Sequence, residues 1–286
     1  MSAYSRRRAA LRALLAEGTT LLIPGCFDCM SAKLVEAAGF PVVYIGSYAT
    51  SASRLGLPDS GLVSLTEMVQ HAESVVNCVG IPVIADAENG FNHAANIWQT
   101  VRAFEQAGVS AIHIEDHEFG KHTDVDPVLL PLEKMVQKIR AAVDAREDAN
   151  FMIIARTDAY WAWKDADQVV SRLNAFAEAG ADLVFPAGMP VHVLQPVRAR
   201  IKGKVVITNR PGASLRDEQD AGASAVLYYA LSLHAAYHGI KEALSRLKQT
   251  GNADSLSGIS ANVQEFERFI GYPEFVEKAR RYGLAK

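Results

Sequence analysis

Two short apolar runs end on carboxylates, IADAE at residues 84–88 and IHIED at 112–116. Asp86, Glu88, Glu115 and Asp116 therefore stand where strands open into loops. Such a set of hard oxygen donors suits magnesium, or manganese in its place, and a magnesium ion polarises a small oxyacid. Gathering four carboxylates costs many kcal/mol in repulsion unless a cation screens them. Strand alternation puts Asp86 and Glu88 on one side, with Ala87 turned the other way.

Other chemically able residues fall at matching positions. Arg156, after the run IIA, is placed to grip a carboxylate or phosphonate in two-pronged fashion; a structural arginine there would be paired with a nearby acid. Gly46, Ser47 and Tyr48 form a strand-exit turn whose backbone donors suit a second carboxylate or an enolate oxygen. Asp59, in LPDSG, is a further acid within reach, although PDSG is also a good turn. The polar loop EFGKHTD, 118–124, is placed as a lid that would deliver Lys121, His122 and Thr123 to a bound anion. His93, His113 and His117 lack zinc spacing, and His113 is expected to face a helix or the core.

The elements that must position these side chains follow from pattern. Eight apolar runs, 20–25, 41–47, 82–88, 111–116, 151–158, 182–187, 204–209 and 225–230, are mostly continuous rather than alternating, as in a parallel sheet covered by helices. The stretches between them carry apolar stripes at three- and four-residue spacing, most closing on glycine. An AG pair recurs at Ala38/Gly39, Ala107/Gly108, Ala179/Gly180 and Ala221/Gly222. Eight such units close into an α/β barrel of the (β/α)8 TIM type, and a missing GxGxxG argues against an open dinucleotide-binding sheet. The barrel is expected over residues 1–245. Residues 246–286 form a C-terminal helical extension whose apolar side chains must cap the barrel or pack on a neighbouring subunit, with exchange of helices allowed by the linker.

Composition bounds the rest. A chain of 286 residues, 49% hydrophobic, can bury a large core. With 29 basic and 32 acidic residues the formal charge is −3, and the cluster Arg6, Arg7, Arg8 and Arg12 is spaced for a helix's solvent face, so no nucleic-acid partner is expected. The apolar runs fall far short of the ~20 residues that span a bilayer, so no membrane partner is expected either. Cys26, Cys29 and Cys78 make a sparse odd set, which fits a reducing cytoplasm and packing roles.

Taken together, PGCFDCMSAKLVEAAGF (24–40), YIGSYATSASRLGLPD (44–59), PVIADAENGF (82–91), AIHIEDH (111–117), IIARTDAY (153–160), GADLVFPA (180–187) and ITNRPG (207–212) resemble the isocitrate lyase and phosphoenolpyruvate mutase superfamily. The resemblance runs over roughly residues 10–245. It implies a magnesium-dependent barrel acting on small 2-oxo or 2-hydroxy acids through an enolate-like species, in a homotetramer with swapped C-terminal helices. It implies magnesium on Asp86, with Glu88 and Glu115 bound directly or through water. It places substrate contacts at Tyr44, Gly46, Ser47, Tyr48, Arg156 and Asn209, and catalytic duties at Asp59, Lys121, Thr123 and Arg156.

The departures bear on the reaction. The lyases of the superfamily carry Lys-Lys-Cys-Gly-His or Lys-Arg-Cys-Gly-His with an acidic thiol, where this chain has Lys121, His122, Thr123, Asp124 and Val125. Their glutamate after the sixth-strand Phe-Pro is replaced by Ala187. Lys-x-Thr is closer to phosphonopyruvate hydrolase and Lys-x-Asn to the mutase, yet both usually have lysine where His117 stands. The expectation is a magnesium-dependent lyase breaking a C–C bond of a small carboxylic acid by retro-aldol cleavage or decarboxylation. The alternative is a C–P enzyme, a phosphonopyruvate hydrolase or a phosphoenolpyruvate mutase.

Overall fold

The computed structural model describes residues 2–91, 93–119 and 127–284. Two compact units are present, Met1–Ser232 and Leu233–Lys286. In the first, eight parallel strands close a barrel in sequence order: β1 (Leu21–Cys26), β2 (Val43–Ile45), β3 (Val83–Asp86), β4 (Ala111–Glu115), β5 (Met152–Thr157), β6 (Leu183–Pro186), β7 (Lys204–Thr208) and β8 (Ala225–Tyr228). The ring closes where Leu21 of β1 pairs with Ala225 of β8. All eight expected strands form; β1 is shifted forward by one residue and the others are shorter than expected.

Helices α1 (Ala3–Ala16), α2 (Cys29–Ala37), α3 (Leu65–Cys78), α4 (Ile97–Gln106), α5 (Leu132–Ala145), α6 (Ala166–Glu178), α7 (Val191–Val197) and α8 (Leu215–Asp220) belong to this unit. Sequence chemistry sets their starts. Asp28 and Ser64 cap α2 and α3 through reciprocal capping boxes, and Asp165 caps α6. Outward strand residues such as Ile112, Ile114 and Ile153 pack with Phe104, Ile139 and Phe176 of the helices. Inward residues build a second cluster, Ile23, Tyr44, Ile84, Met152, Phe185 and Val206, that fills the barrel as stacked layers do.

The first helix corrects an expectation. Of its arginines only Arg6 is exposed: Arg8 is buried, donating to the carbonyls of Val109 and Glu105 and pairing with Asp148, while Arg12 pairs with Asp182 and Arg7 donates to Val76 O. Leu11 and Leu15 of the same helix join the inner cluster. The spacing was that of one helix face, but the partners waiting at the strand starts make it the buried face.

Between β4 and α5 an antiparallel ribbon, His117–Phe119 with Val128–Leu129, was not anticipated, since each arm is too short to show a period. Lys121 and Thr123, expected to serve the site from this segment, lie outside the described residues. Cys26 is buried and its thiol pushed well above the usual range by burial, and burial with the neighbouring Cys29 pushes Cys78 up to about 12, which suits packing roles. The second unit holds helices Val263–Phe269 and Tyr272–Arg281, and most of Leu231–Thr250. Among the described residues no helix is long and apolar enough to cross a membrane.

Candidate metal and carboxylate site

The carboxyl ends of β3, β4 and β5 bring the acids together. Lateral pairing sets the neighbours: Asp86 stands beside His113, and Glu115 beside Arg156. Asp86, Glu88 and Glu115 each offer one carboxylate oxygen, and these oxygens lie within 4.8 Å of one another in a buried setting. Three buried hard donors at that spacing fit a divalent cation such as magnesium, which would offset their repulsion.

Glu88 reaches this cluster by a different route from the one expected. The strand ends at Asp86, and Glu88 sits in a turn with φ of 49°, a left-handed conformation costly for a non-glycine residue. The surroundings hold it there. Glu88 N donates to Asp86 Oδ1 at 2.8 Å, and Glu115 N donates to Glu88 O at 2.9 Å. Thr100 Oγ1 and Lys138 Nζ donate to the carbonyls of Gly90 and Asn89 just beyond. The turn, not strand alternation, delivers the second carboxylate.

Asp116 leaves the cluster. As the residue after inward-facing Glu115 it points out through the barrel wall, where Arg172 of α6 donates from Nε to Asp116 Oδ2 at 2.8 Å. Burial pushes the Asp116 carboxyl above its usual range, with Asp158 adding to this and Arg172 opposing it. The expected group of four acids is therefore a group of three.

Gly46 is followed by a helical turn, Ser47–Thr50, that runs on into a π-helical segment, Ser51–Leu55, in place of a plain strand-exit turn. A Cβ at Gly46 would stand 2.9 Å from the Tyr44 ring, so glycine alone lets this turn start directly over that tyrosine. Ser47 N donates to Asp86 Oδ2 at 3.1 Å. Ser47 Oγ lies 2.8 Å from Asp86 Oδ2 and 3.0 Å from Asp59 Oδ1, with one proton to give. Asp59, reaching in from a long loop, is buried beside Ser47 and Asp86. Tyr48 packs edge-on against Tyr229, and burial raises its phenol.

Below Asp86, Tyr44 Oη and His113 Nε2 are 2.9 Å apart, the rings stacked, and His113 Nδ1 is 3.6 Å from Asp86 Oδ1. His113 is inside the barrel as expected, but its place behind a candidate metal ligand was not read from sequence; its position two residues before Glu115, on the inward side, was the available signal. Asn209 Nδ2 donates to buried Glu218 at 2.9 Å, and Tyr228 Oη donates to the same carboxylate at 3.1 Å.

Arg156 is paired with acids. Its Nη1 is 2.9 Å from Glu115 Oε2, its Nε and Nη2 donate to Asp158 at 2.8 and 3.2 Å, and its guanidinium lies 5.4 Å from the Phe185 ring centre. Burial alone would lower its pKa, but Asp158 and Glu115 hold it well above the ordinary value. A guanidinium has five N–H donors; two of them donate to Asp158, and the contact with Glu115 is a charge pair without hydrogen-bond geometry. Asp158 also faces His117 Nδ1 at 3.3 Å. Glu115, His117 and Asp158 bring ligand atoms within 4.8 Å of one another as well. A divalent ion there would meet the Arg156 guanidinium already seated on two of the three, which disfavours it.

Comparison with known proteins places the chain in a family. The family model described as phosphoenolpyruvate phosphomutase matches residues 11–248. The chain is 35% identical to 2,3-dimethylmalate lyase of Eubacterium barkeri over 288 residues, covering 97% of this chain and 99% of that one. It is 31% identical to 2-methylisocitrate lyase of Salmonella typhimurium (strain LT2), covering 94% of each. The solved structure of phosphonopyruvate hydrolase with oxalate and magnesium superposes with a TM-score of 0.89 at 29% identity, covering 96% of this chain and 99% of that one.

Proposed function

Because the chain belongs to the phosphoenolpyruvate phosphomutase family, within the isocitrate lyase/PEP mutase superfamily, we propose that it is a magnesium-dependent lyase cleaving a C–C bond of a small 2-oxo or 2-hydroxy carboxylic acid. The observation that carries this is the buried trio Asp86, Glu88 and Glu115, with its oxygens within 4.8 Å, beside the Arg156 guanidinium. Magnesium, or manganese in its place, would be held by those three residues and would supply Lewis acidity toward a carbonyl or enolate oxygen.

The chain's own groups do the rest. Arg156 directs its remaining N–H donors at the distal carboxylate of the acid. The turn at Gly46–Tyr48 holds the near carboxylate, with Tyr44 and Asn209 lining the same mouth. Ser47 Oγ keeps its proton between Asp59 and Asp86, so Asp59 is placed to take or return a proton through that hydroxyl. Lys121 and Thr123 are the other proton donors of this reading. With Ala187 in place of an acid and no thiol at 121–125, the pocket suits a smaller substrate than isocitrate. The same reading sets the enzyme in the cytoplasm as a homotetramer; exposed Tyr237, Ile240, Leu244 and Phe275 in the C-terminal unit are apolar surface that assembly would cover.

The likeness to phosphonopyruvate hydrolase favours a second reading, C–P cleavage. Incubating the protein and Mg²⁺ with oxaloacetate, 2-methylisocitrate, dimethylmalate and phosphonopyruvate, while following pyruvate and phosphate, separates the two. Pyruvate from a C–C substrate is expected. Phosphate release from phosphonopyruvate alone would overturn the lyase reading.

A further inference from the structure

Arg172 belongs to the outer helix α6, and its side chain is only 6% exposed. Its Nε donates to Asp116 Oδ2 at 2.8 Å and its Nη2 to Leu130 O at 2.6 Å. The rings of Trp163 and Phe176 enclose the guanidinium at 5.6 and 5.9 Å. A planar fork held between two acceptors and two rings has little freedom left.

Asp116 passes that order inward. Thr157 Oγ1 donates to Asp116 Oδ2 at 2.5 Å, and the backbone N–H of Asp158 donates to Oδ1 at 2.9 Å. Leu130 N donates to Asp116 O at 2.8 Å, which ties the base of the ribbon to the same residue. With its backbone fixed, Asp158 presents both carboxylate oxygens to Arg156, at 2.8 and 3.2 Å, and Arg156 reaches Glu115. A continuous run of contacts thus links an outer helix to the candidate metal trio. Burying an ion pair rarely stabilises a fold more than apolar side chains of equal volume would. What this pair supplies is an acceptor for an N–H and a hydroxyl at the exit of β5, which no apolar pair provides.

We propose that Arg172 and Asp116 are a positioning pair that sets the direction of the Arg156 guanidinium through Asp158, without themselves touching substrate. The inference rests on the reading of Arg156 as the partner of the substrate carboxylate.

The test uses Arg172→Gln, Asp116→Asn and the double variant, each as the full chain with Mg²⁺ and the substrate that the wild type turns over. Each single change should lower kcat by about 10- to 100-fold while leaving the magnesium affinity within about twofold, the scale of outer-shell partners. The double variant should lose no more than the worse single variant, since the two residues act as one unit. Multiplying losses, or unchanged kcat in Asp116→Asn, would overturn the proposal. Arg172→Gln leaves a buried carboxylate without its cation; if it fails to fold, Asp116→Asn and the double variant, which avoid that charge, still decide. If the wild type turns over none of the four acids, the functional reading fails by itself. A crystal structure of the double variant then decides the positioning claim, which falls if Arg156 keeps its contacts to Glu115 and Asp158.

Discussion

Replacing Arg156 by methionine keeps an apolar stem against Phe185 and removes the charge. Four buried carboxylates, Asp86, Glu88, Glu115 and Asp158, then lose the cation that lies 2.9 Å from one and 2.8 Å from another. Removing one partner of a buried pair costs about 3–5 kcal/mol. For a unit of this size each kcal/mol moves the melting point by about 2–4 °C, so in chelator the variant should melt roughly 6–20 °C below wild type. Magnesium at a hundred times its dissociation constant returns about 2.7 kcal/mol. The variant's melting point should therefore rise toward that of wild type in chelator when Mg²⁺ replaces the chelator, while its turnover stays lost. Thermal denaturation followed by circular dichroism, with and without Mg²⁺, reads both terms. A variant that melts within 2 °C (about 0.5–1 kcal/mol) of wild type in chelator would refute the electrostatic account, and a melting point indifferent to Mg²⁺ would refute the metal trio.

Asp86→Ala should lower turnover more than about 100-fold and abolish the magnesium isotherm in titration calorimetry; activity retained in chelator would remove the metal from the mechanism. Gly46→Ala drives a methyl to 2.9 Å from the Tyr44 ring and should cost about 1–3 kcal/mol and displace Tyr44, visible by crystallography; a wild-type kcat would count against Tyr44 as a substrate contact. Burial, with Arg54 adding to it, lowers the His71 imidazole to about 4, and its Nδ1 lies 3.1 Å from Thr50 Oγ1. The unfolded chain, with its His near ~6.5, binds a proton that the native chain refuses, so this stability is whole above about pH 6.5 and drains as pH falls toward 4. Wild type should lose about 2 kcal/mol more than His71→Gln between pH 7 and 5 by thermal melts; equal losses would contradict the assignment.

The barrel was legible because buried parallel strands and amphipathic helices repeat the same two signals eight times. The gathering of Asp86, Glu88 and Glu115 was legible for a related reason, as inward-facing carboxylates at the carboxyl ends of barrel strands converge on one mouth. What escaped was direction. Asp116 follows Glu115 without a break, and only the pleat, together with an arginine 56 residues later, sends it outward. Glu88 looked like the next inward position of a strand, yet its carboxylate arrives through a left-handed turn that hydrogen bonds from Thr100 and Lys138 help to hold. Arg8 carried the spacing of an exposed stripe, and its partners at Val109 and Asp148 are more than a hundred residues away. Long-range partners of this kind leave no local period to read.

The first helix has a practical consequence. Leu11 and Leu15 plug the end of the barrel opposite Asp86, Glu88 and Glu115, and Arg8 and Arg12 latch the plug to loops that precede β4, β5 and β6. Shortening the amino terminus into this helix would uncork the inner cluster and admit water beneath Ile84 and Met152. Affinity tags and fusion partners therefore belong ahead of Ser2, joined through a spacer that leaves the stopper seated.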